Sequence, residues 1–260
     1  MRNTHGSFIW YELLTPDPDA AAAFYGAVVG WTTHAHGAGG EYRLWRTGAG
    51  VDVGGLMAPP GEAAMPATWL GYIGVDDVDQ TVARVVAAGG ATHMPATDMP
   101  GVGRMAMVAD PQGAPFYVMR GAVDGVSESF KPATLGHCGW NELMSTEPVA
   151  ALAFYGDTFG WAKGETMPMG AMGDYQLFTH AGTPTGAIMP KPAEAPRSHW
   201  SFYFHVADID RAAAGFLQRW LSSQTSTSKA GAVPDLARPF LLLTFARAAA
   251  LSSKSLPSRS

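Results

Sequence analysis

The chain has 260 residues, of which 47% are hydrophobic and 15% are charged, and its formal net charge is −5. This length allows two domains with their own cores, and the composition excludes an intrinsically disordered protein. The acidic balance excludes a general attraction to nucleic acid or anionic membranes, and no apolar run is long enough to span a bilayer. The single cysteine, Cys138, cannot form an intrachain disulfide and is typical of a reducing compartment. We therefore expect a cytoplasmic protein without nucleic-acid or membrane partners.

The elements predicted for the first 121 residues follow the order strand, helix, strands, and then repeat that order. Phe8–Leu14 has the pattern of a half-buried strand. A helix follows at Ala20–Val29, with Asp17 or Asp19 as its N-cap and Gly30 just beyond its end. The later predicted elements are strands at Tyr42–Arg46, Val51–Met57 and Thr68–Val75, a helix at Asp79–Ala88, and strands at Arg104–Ala109 and Pro115–Met119. Residues 122–134 are predicted to link two domains.

A second copy of this pattern begins about 130 residues further along the chain. Trp10–Leu13 (Trp-Tyr-Glu-Leu) corresponds to Trp140–Leu143 (Trp-Asn-Glu-Leu). Further matched pairs are Ala23–Gly26 with Ala153–Gly156, Gly30–Trp31 with Gly160–Trp161, Tyr42 with Tyr175, Gly54–Met57 with Gly186–Met189, and Trp69–Tyr72 with Trp200–Tyr203. Chance does not keep so many tryptophans, tyrosines and glycines in register, so we predict a tandem duplication. We place the first repeat at residues 1–121 and the second repeat at residues 135–260.

Each repeat is predicted to contain two βαβββ units. In the first repeat, Phe24–Tyr25 and Gly30–Trp31 close the first helix, and Asp110–Gly113 (Asp-Pro-Gln-Gly) precedes the last strand. These features resemble the vicinal oxygen chelate superfamily, which includes glyoxalase I, extradiol dioxygenases, fosfomycin-resistance enzymes and bleomycin-binding proteins. The tandem motifs Trp-x-Glu-Leu and Ala-x-x-Phe-Tyr are similar to those of actinobacterial glyoxalase-like proteins often labelled hydroxylase or antibiotic-binding. The resemblance covers residues 7–121 and 136–210, and it implies an α+β fold of curled mixed sheets with helices on their outer faces.

The resemblance also implies where a metal ion would lie, because metal-dependent members take one ligand from each of four strands. The corresponding positions hold poor metal donors: Trp10, Leu70 and Tyr117 in the first repeat, Trp140 and Ser201 in the second, and only Gly54–Met57 on the remaining strand. His34 and His36 precede Gly37–Gly40, a predicted surface loop, and we do not expect a metal site there. We expect no metal ion, no other cofactor and no catalytic residue.

Alternation along the strands predicts which side chains face the concave side of each sheet. The predicted ligand-binding residues are Trp10, Glu12, Tyr72, Tyr117 and Met119 in the first repeat, and Trp140, Glu142 and Tyr203 in the second. Trp45, Met57 and His205 are further candidates, and parity also places Cys138 on the side of Trp140. Two interpretations of Glu12 and Glu142 stay open: a ligand acceptor or general base, or a carboxylate that caps backbone N–H groups or pairs with arginine.

Aromatic rings and methionines around a carboxylate and several hydroxyls are typical of a pocket for a small aromatic or hydrophobic molecule. Our leading hypothesis is metal-independent binding of such a molecule, for sequestration or resistance, by a monomer or homodimer that is not an enzyme. One alternative is a glyoxalase-like lyase, isomerase or dioxygenase that uses a displaced metal ion and Glu12. Another is that the rings only fill the interior of the sheet, so that the pockets are vestigial.

The chain departs from the repeated pattern near its end. Of its 17 basic and 22 acidic residues, seven basic residues and one acidic residue lie from Arg211 onward, and Asp110–Gly113 has no counterpart there. A reading-frame shift near residues 211–220 and a diverged but folded terminus both explain this change. We expect the second repeat to be aberrant from about residue 211, with irregular structure from about Ser222 except at Phe240–Phe245.

Overall fold

The computed structural model describes residues 1–37, 41–61 and 66–215 of the chain. The first βαβββ unit consists of β1 (Phe8–Leu14), α1 (Pro18–Val28), β2 (Thr32–His36), β3 (Tyr42–Arg46) and β4 (Asp52–Met57). The second unit consists of β5 (Thr68–Gly74), α2 (Val78–Ala87), β6 (Ala91–Met99), β7 (Gly103–Ala109) and β8 (Pro115–Gly121). The third consists of β9 (Cys138–Ser145), α3 (Pro148–Phe159), β10 (Ala162–Pro168), β11 (Asp174–His180) and β12 (Thr183–Pro190), and β13 (His199–Phe204) opens the fourth.

The strands form two mixed sheets that repeat one arrangement. The first sheet has the order β2-β3-β4-β1-β5-β8-β7-β6, and the second has the order β10-β11-β12-β9-β13. In the first sheet β1 pairs parallel with β4 and antiparallel with β5, and β9 pairs in the same way with β12 and β13. The predicted α+β fold with mixed sheets is confirmed, and the matching arrangement of the two sheets is consistent with the predicted tandem duplication.

Aspartates start the helices of the first repeat, as helix-capping preferences lead us to expect. Asp17, one of the two predicted caps, accepts a hydrogen bond from the Ala20 amide at 2.9 Å. Asp77 caps α2 through the Gln80 amide, also at 2.9 Å. Residues 209–215 are helical as well, and Asp208 accepts from the Arg211 amide in the same manner. The predictions for Ser222 onward and for Phe240–Phe245 lie outside the described residues. None of the helices in the described ranges is long and apolar enough to cross a membrane.

The sequence pattern did not predict β2 and β6, the two edge strands of the first sheet. Every residue of both strands is exposed or half-buried, so neither strand has a buried face that requires apolar side chains. The alternation of apolar and polar residues that marks a half-buried strand is therefore missing. Both histidines, His34 and His36, lie on β2, and His34 is close to Arg46 and Asp52 of the neighbouring strands.

The two sheets pack together around one shared aromatic core. This core joins side chains of both repeats, among them Phe8, Tyr11, Phe116, Phe154, Tyr155, Trp161, Phe178, Trp200 and Phe202. The indole N–H groups of Trp31 and Trp161 cross between the repeats and donate to the carbonyl oxygens of Gly136 and Gly6, each at 2.8 Å. Because each contact is the counterpart of the other at an offset of 130 residues, the repeats are related by an approximate two-fold axis.

The Asp110–Gly113 turn also connects the repeats. One carboxylate oxygen of Asp110 accepts from the amides of Gln112 and Ala114, both at 2.9 Å. The other accepts from the hydroxyl of Tyr155 on α3 at 3.0 Å. Burial raises the pKa of Asp110, and these donors offset part of the rise.

Candidate functional site

The face of the first sheet that carries Trp10 and Tyr72 is called the inner face, and its side chains form a cluster separate from the shared core. This inner-face cluster consists of aromatic, aliphatic and methionine side chains. Its buried members are Ile9, Leu14, Leu70, Tyr72 and Tyr117, and half-buried Trp10, Met57, Met94, Met105, Met107 and Met119 pack against them. The structure therefore brings together four of the five residues predicted to bind ligand in the first repeat: Trp10, Tyr72, Tyr117 and Met119. Strand pairing places Trp10 opposite Tyr72, and Tyr72 opposite Tyr117.

Glu12, the fifth predicted residue, lies in the same face and is only 3% exposed. The hydroxyl of Tyr42 accepts a hydrogen bond from Trp10 Nε1 at 3.0 Å and itself bonds to the Glu12 carboxylate. Tyr72 supplies a second hydroxyl to the same carboxylate. Within the described chain the partners of Glu12 are thus phenols and not arginine or a backbone N–H. Tyr42 was missed as a site residue, although its match with Tyr175 in the repeat was a usable signal.

Burial dominates the electrostatics of this group. It raises the pKa of Glu12, and the two hydroxyl donors offset part of that rise. The pKa values of Tyr42, Tyr72 and Tyr117 are also raised, first by burial and then by the negative charge of Glu12. The three phenols therefore stay protonated, and Tyr42 and Tyr72 donate hydrogen bonds to a carboxyl group that takes up a proton more readily than in water.

Gly55 makes room for this arrangement. It pairs with Glu12 in the register between β4 and β1, and the ring of Tyr42 lies across it. A Cβ atom at this position would lie 2.0 Å from the Tyr42 hydroxyl. In the first repeat, the Tyr42 side chain that bonds to Glu12 occupies the space that a side chain at Gly55 would fill.

The second repeat contains the same triad of tryptophan, tyrosine and glutamate. Trp140 Nε1 donates to the Tyr175 hydroxyl at 2.8 Å, and that hydroxyl donates to Glu142 at 2.8 Å. Glu142 is fully buried, and Tyr203 lies opposite Trp140 in the strand register. Burial and the negative charge of Glu142 raise the pKa of Tyr175. All three residues predicted for the second repeat therefore meet on its inner face.

One register irregularity overturns the predictions for Cys138 and His205. Where β13 pairs with β9, the register shifts between Tyr203 and Phe204 and leaves Gly139 of β9 as an extra residue. Cys138 and Trp140 therefore lie on opposite faces and belong to different clusters. Cys138 is fully buried in the shared core, and burial raises the pKa of its thiol to about 12. His205 lies beyond the irregularity and accepts from the Ala133 amide at 2.9 Å, outside the inner face.

The two remaining candidates of the first repeat, Trp45 and Met57, lie in different clusters. Met57 belongs to the inner-face cluster, but Trp45 is fully buried in a different cluster, with Tyr25 and Trp31 beneath α1. The suggestion that Trp45 lines the pocket is therefore wrong. Tyr42 and Trp45 are an odd number of residues apart on β3, so their side chains lie on opposite faces of the sheet.

A half-open groove of about 500 Å³ adjoins the inner-face cluster at the start of β5 and β8. It is lined by Thr68, Leu70, Gly89, Ala91, His93, Met107, Ala109, Asp110, Pro111, Gly113, Pro115 and Arg197. Leu70 and Met107 belong both to the groove and to the inner-face cluster, so the two are continuous. Arg197 precedes β13 and is the one lining residue from the second repeat.

The inner face of the first repeat does not fit a catalytic divalent metal ion. The positions that the resemblance assigns to ligands, at Trp10, Leu70 and Tyr117, form part of a hydrophobic cluster. Glu12 supplies one carboxylate, surrounded by phenols, whereas such sites use several imidazole or carboxylate ligands. In the described ranges no three His, Cys, Asp or Glu side chains are grouped so that they could hold an ion.

Comparison with known proteins identifies the family. Residues 7–118 match the Glyoxalase/Bleomycin resistance protein/Dioxygenase superfamily. The chain is 35% identical over 209 residues to the Mycobacterium tuberculosis protein CFP32, provisionally named a glyoxylase, with 79% of each chain covered. It is 36% identical over 230 residues to the anthracycline biosynthesis protein DnrV of Streptomyces peucetius, with 79% of this chain and 78% of the relative covered.

Solved structures share the fold at lower identity. The glyoxalase from Novosphingobium aromaticivorans, solved with Mn(II), matches with a TM-score of 0.55 and 19% identity, covering 84% of this chain and 71% of that one. The 2,2',3-trihydroxybiphenyl 1,2-dioxygenase of Sphingomonas wittichii matches with a TM-score of 0.55 and 13% identity, covering 84% and 79%. The sequence relatives and the shared fold lead to one conclusion: the chain belongs to the glyoxalase, bleomycin resistance protein and dioxygenase superfamily, also called the vicinal oxygen chelate superfamily.

Proposed function

We propose that the first repeat binds a small aromatic or hydrophobic molecule on its inner face without using a metal ion. The observation that carries this proposal is the buried carboxyl group of Glu12, held by Tyr42 and Tyr72 among aromatic rings and methionines. The ligand would contact the ring faces of Trp10 and Tyr117 and exchange a hydrogen bond with the polar group beneath them.

A buried carboxyl group destabilises the folded protein if the face around it only forms a hydrophobic core. Burying a carboxyl group costs free energy that hydrogen bonds only partly recover, and an apolar side chain would pack without this cost. The group nevertheless occurs in both repeats, with the same tryptophan and tyrosine partners. Methionines beside it can adjust their conformations to ligands of different shape. These features favour a binding site over a vestigial one.

The named relatives are compatible with such a ligand. The Streptomyces peucetius relative is named for anthracycline biosynthesis, and anthracyclines are fused-ring aromatic molecules. A flat polycyclic molecule would suit the stacked pair of Tyr72 and Tyr117, whose ring centroids are 4.3 Å apart at 14°. We therefore propose a planar aromatic metabolite or drug as the ligand class, bound for sequestration or resistance.

Binding measurements on matched tryptophan variants test the proposal. We expect Trp10→Ala and Tyr117→Ala each to weaken binding of the neutral fluorescent probe N-phenyl-1-naphthylamine by about tenfold, because each removes an aromatic contact surface. Trp140→Ala is the matched control in the second repeat and should have a smaller effect. Equal affinities for the wild type and both first-repeat variants would contradict a site on this face.

A second candidate is an enzyme in which Glu12 acts as general base, and one observation favours it. The raised pKa of Glu12 brings this carboxyl group closer to the range in which it can both accept and return a proton. The mycobacterial relative, provisionally named a glyoxylase, points the same way. Elemental analysis of the purified protein separates the candidates. One tightly bound Zn, Fe, Mn or Ni per chain would support an enzyme with a displaced metal site and contradict metal-independent binding.

A further inference from the structure

We infer that the groove beside the inner-face cluster receives an anionic group of the ligand and that Arg197 of the second repeat binds it. This inference rests on the proposed function and deepens it, because it assigns the ligand to the class of aromatic molecules with a carboxylate, sulfonate or phosphate group. The groove has a volume of about 500 Å³, within the range of small-molecule sites.

The groove has an apolar wall and, at a different place in its lining, one cationic side chain. Leu70, Met107 and Pro115 form the apolar wall, and the first two continue into the inner-face cluster. Arg197 lies in the loop between β12 and β13 and is exposed. In the described part of the chain its guanidinium makes no ion pair and no hydrogen bond, although its carbonyl oxygen bonds to the ring of His199. An aromatic body on the apolar wall would place an attached anion near this cation.

The acidic residue in the groove does not neutralise Arg197. Asp110 is only 2% exposed, and its two oxygens are engaged by the Gln112 and Ala114 amides and the Tyr155 hydroxyl. Lys191, which lies in the same loop, donates to the carbonyl oxygens of Pro192 and Ala195. The groove therefore offers one unpaired cation and no competing accessible carboxylate among its described residues. An arginine is suited to this role because its planar fork matches carboxylate and phosphate geometry.

The position of Arg197 gives the interface between the repeats a role in recognition. The apolar wall and the cation come from different repeats, so the groove is complete only when the two repeats are packed together. Ligand selection would then depend on a contact with Arg197 that the first repeat alone cannot provide.

Two probes with the same ring skeleton test this inference on the full chain. The anionic probe is 1-anilinonaphthalene-8-sulfonate, and the neutral one is N-phenyl-1-naphthylamine, which lacks the sulfonate. We expect Arg197→Gln to weaken binding of the anionic probe about three- to fivefold at low ionic strength, in line with a partly exposed ion pair. The neutral probe should bind the variant as it binds the wild type. Arg197→Lys keeps the positive charge but not the planar fork, so it should bind the anionic probe more tightly than Arg197→Gln does.

The control variant is Lys163→Gln, which removes one positive charge from an exposed position on β10, outside the groove. It should leave the affinity for both probes unchanged, and high salt should abolish the difference between Arg197→Gln and the wild type. Equal effects of Arg197→Gln on the two probes, or no effect on either, would overturn the inference. The proposed function fails separately, if Trp10→Ala leaves the affinity for the neutral probe unchanged. Absence of saturable binding of either probe would overturn both.

Discussion

The carboxyl group of Glu12 accepts hydrogen bonds from phenol hydroxyls, and these partners determine how its protonation responds to pH. Its partners in the described chain are Tyr42 and Tyr72, and neither carries a positive charge. Hydrogen bonds from neutral donors recover part of the lost hydration of a carboxylate, but they do not supply the attraction of an ion pair. The protonated form is therefore favoured in the folded protein more than in the unfolded chain.

Glu12→Gln should remove this pH dependence. Because the folded pKa is raised, the folded protein binds more protons than the unfolded chain once the pH exceeds the unfolded pKa. Stability is therefore lost as the pH rises from that value through the folded pKa. The free energy of unfolding of Glu12→Gln should rise relative to wild type across this window, by about 1.4 kcal/mol for each pH unit between the two pKa values. Urea denaturation at a series of pH values measures this difference.

Glu41→Gln provides the control for this comparison. Glu41 is exposed, so its substitution should leave the pH dependence of stability as in the wild type. If Glu12→Gln followed the wild-type profile as closely as Glu41→Gln does, the carboxyl group of Glu12 would be hydrated and the buried site described here would be wrong.

Strand β4 shows how one position in an element controls the side chains of its neighbours. Gly55 has no side chain, and Tyr42 from β3 crosses it to reach Glu12 on β1. The corresponding strand of the second repeat, β12, has Ala187 at the matched position, in register with Glu142. Tyr175 still donates to Glu142 there. The two repeats therefore fit the same hydrogen bond around different backbone neighbours.

Gly55→Ala should disturb the first site more than its small size suggests. The added Cβ would displace the Tyr42 hydroxyl from Glu12, which leaves a buried carboxyl group with one donor fewer. We expect a loss of about 1–2 kcal/mol in the free energy of unfolding, measured by urea denaturation, and weaker probe binding. Gly48→Ala is the control, since a Cβ at Gly48 meets nothing within 4 Å. Equal stabilities of the two variants would show that Tyr42 is not held against Glu12.

The elements also show what the sequence can and cannot reveal. The bounds of β1 and β3 agree with the predictions, because both strands are bounded by turn residues. The edge strands β2 and β6 escaped detection, since a strand exposed on both sides has no apolar face. Parity failed at Cys138 because the pairing irregularity at Gly139 shifts the alternation of side chains by one residue, and a glycine inside the strand was its only marker in the sequence. Tyr42 is the residue that a closer use of the repeat would have found.

At the scale of the whole molecule, the sequence predicted the duplication but not how the repeats meet. The offset of 130 residues relates Trp31 to Trp161 and Gly6 to Gly136, yet only the structure shows that these residues bond reciprocally across the interface. Tyr11 and Asn141 occupy equivalent positions and bond to each other at 2.8 Å. Because these two residues differ in type, no comparison of the repeats could have paired them. The ligand-binding role of the eight residues named from the sequence stays a prediction.

Tyr155→Phe tests the contribution of the interface to the stability of the whole chain. The hydroxyl of Tyr155 donates to the buried carboxylate of Asp110 in the other repeat, and its loss leaves one oxygen of that group without this donor. We expect a loss of about 1–3 kcal/mol at neutral pH, the usual penalty for an unsatisfied buried polar group. Tyr25→Phe is the matched control, because Tyr25 is the equivalent residue and its hydroxyl accepts from the Trp69 indole at 2.7 Å. Its loss removes a bond between neutral groups and should cost less.

The pH dependence of the two variants distinguishes the charged contact from a loss of packing. The pKa of Asp110 is raised by burial and lowered in part by Tyr155, so Tyr155→Phe should raise it further. Above that pKa the variant must bury a poorly bonded carboxylate, whereas below it Asp110 holds a proton and needs the donor less. The destabilisation by Tyr155→Phe should therefore shrink when urea denaturation is repeated at about pH 4, near the usual pKa of a carboxyl group. Tyr155→Phe could instead destabilise the protein equally at both pH values and by the same amount as Tyr25→Phe. That result would mean that the hydroxyl of Tyr155 does not stabilise the carboxylate of Asp110.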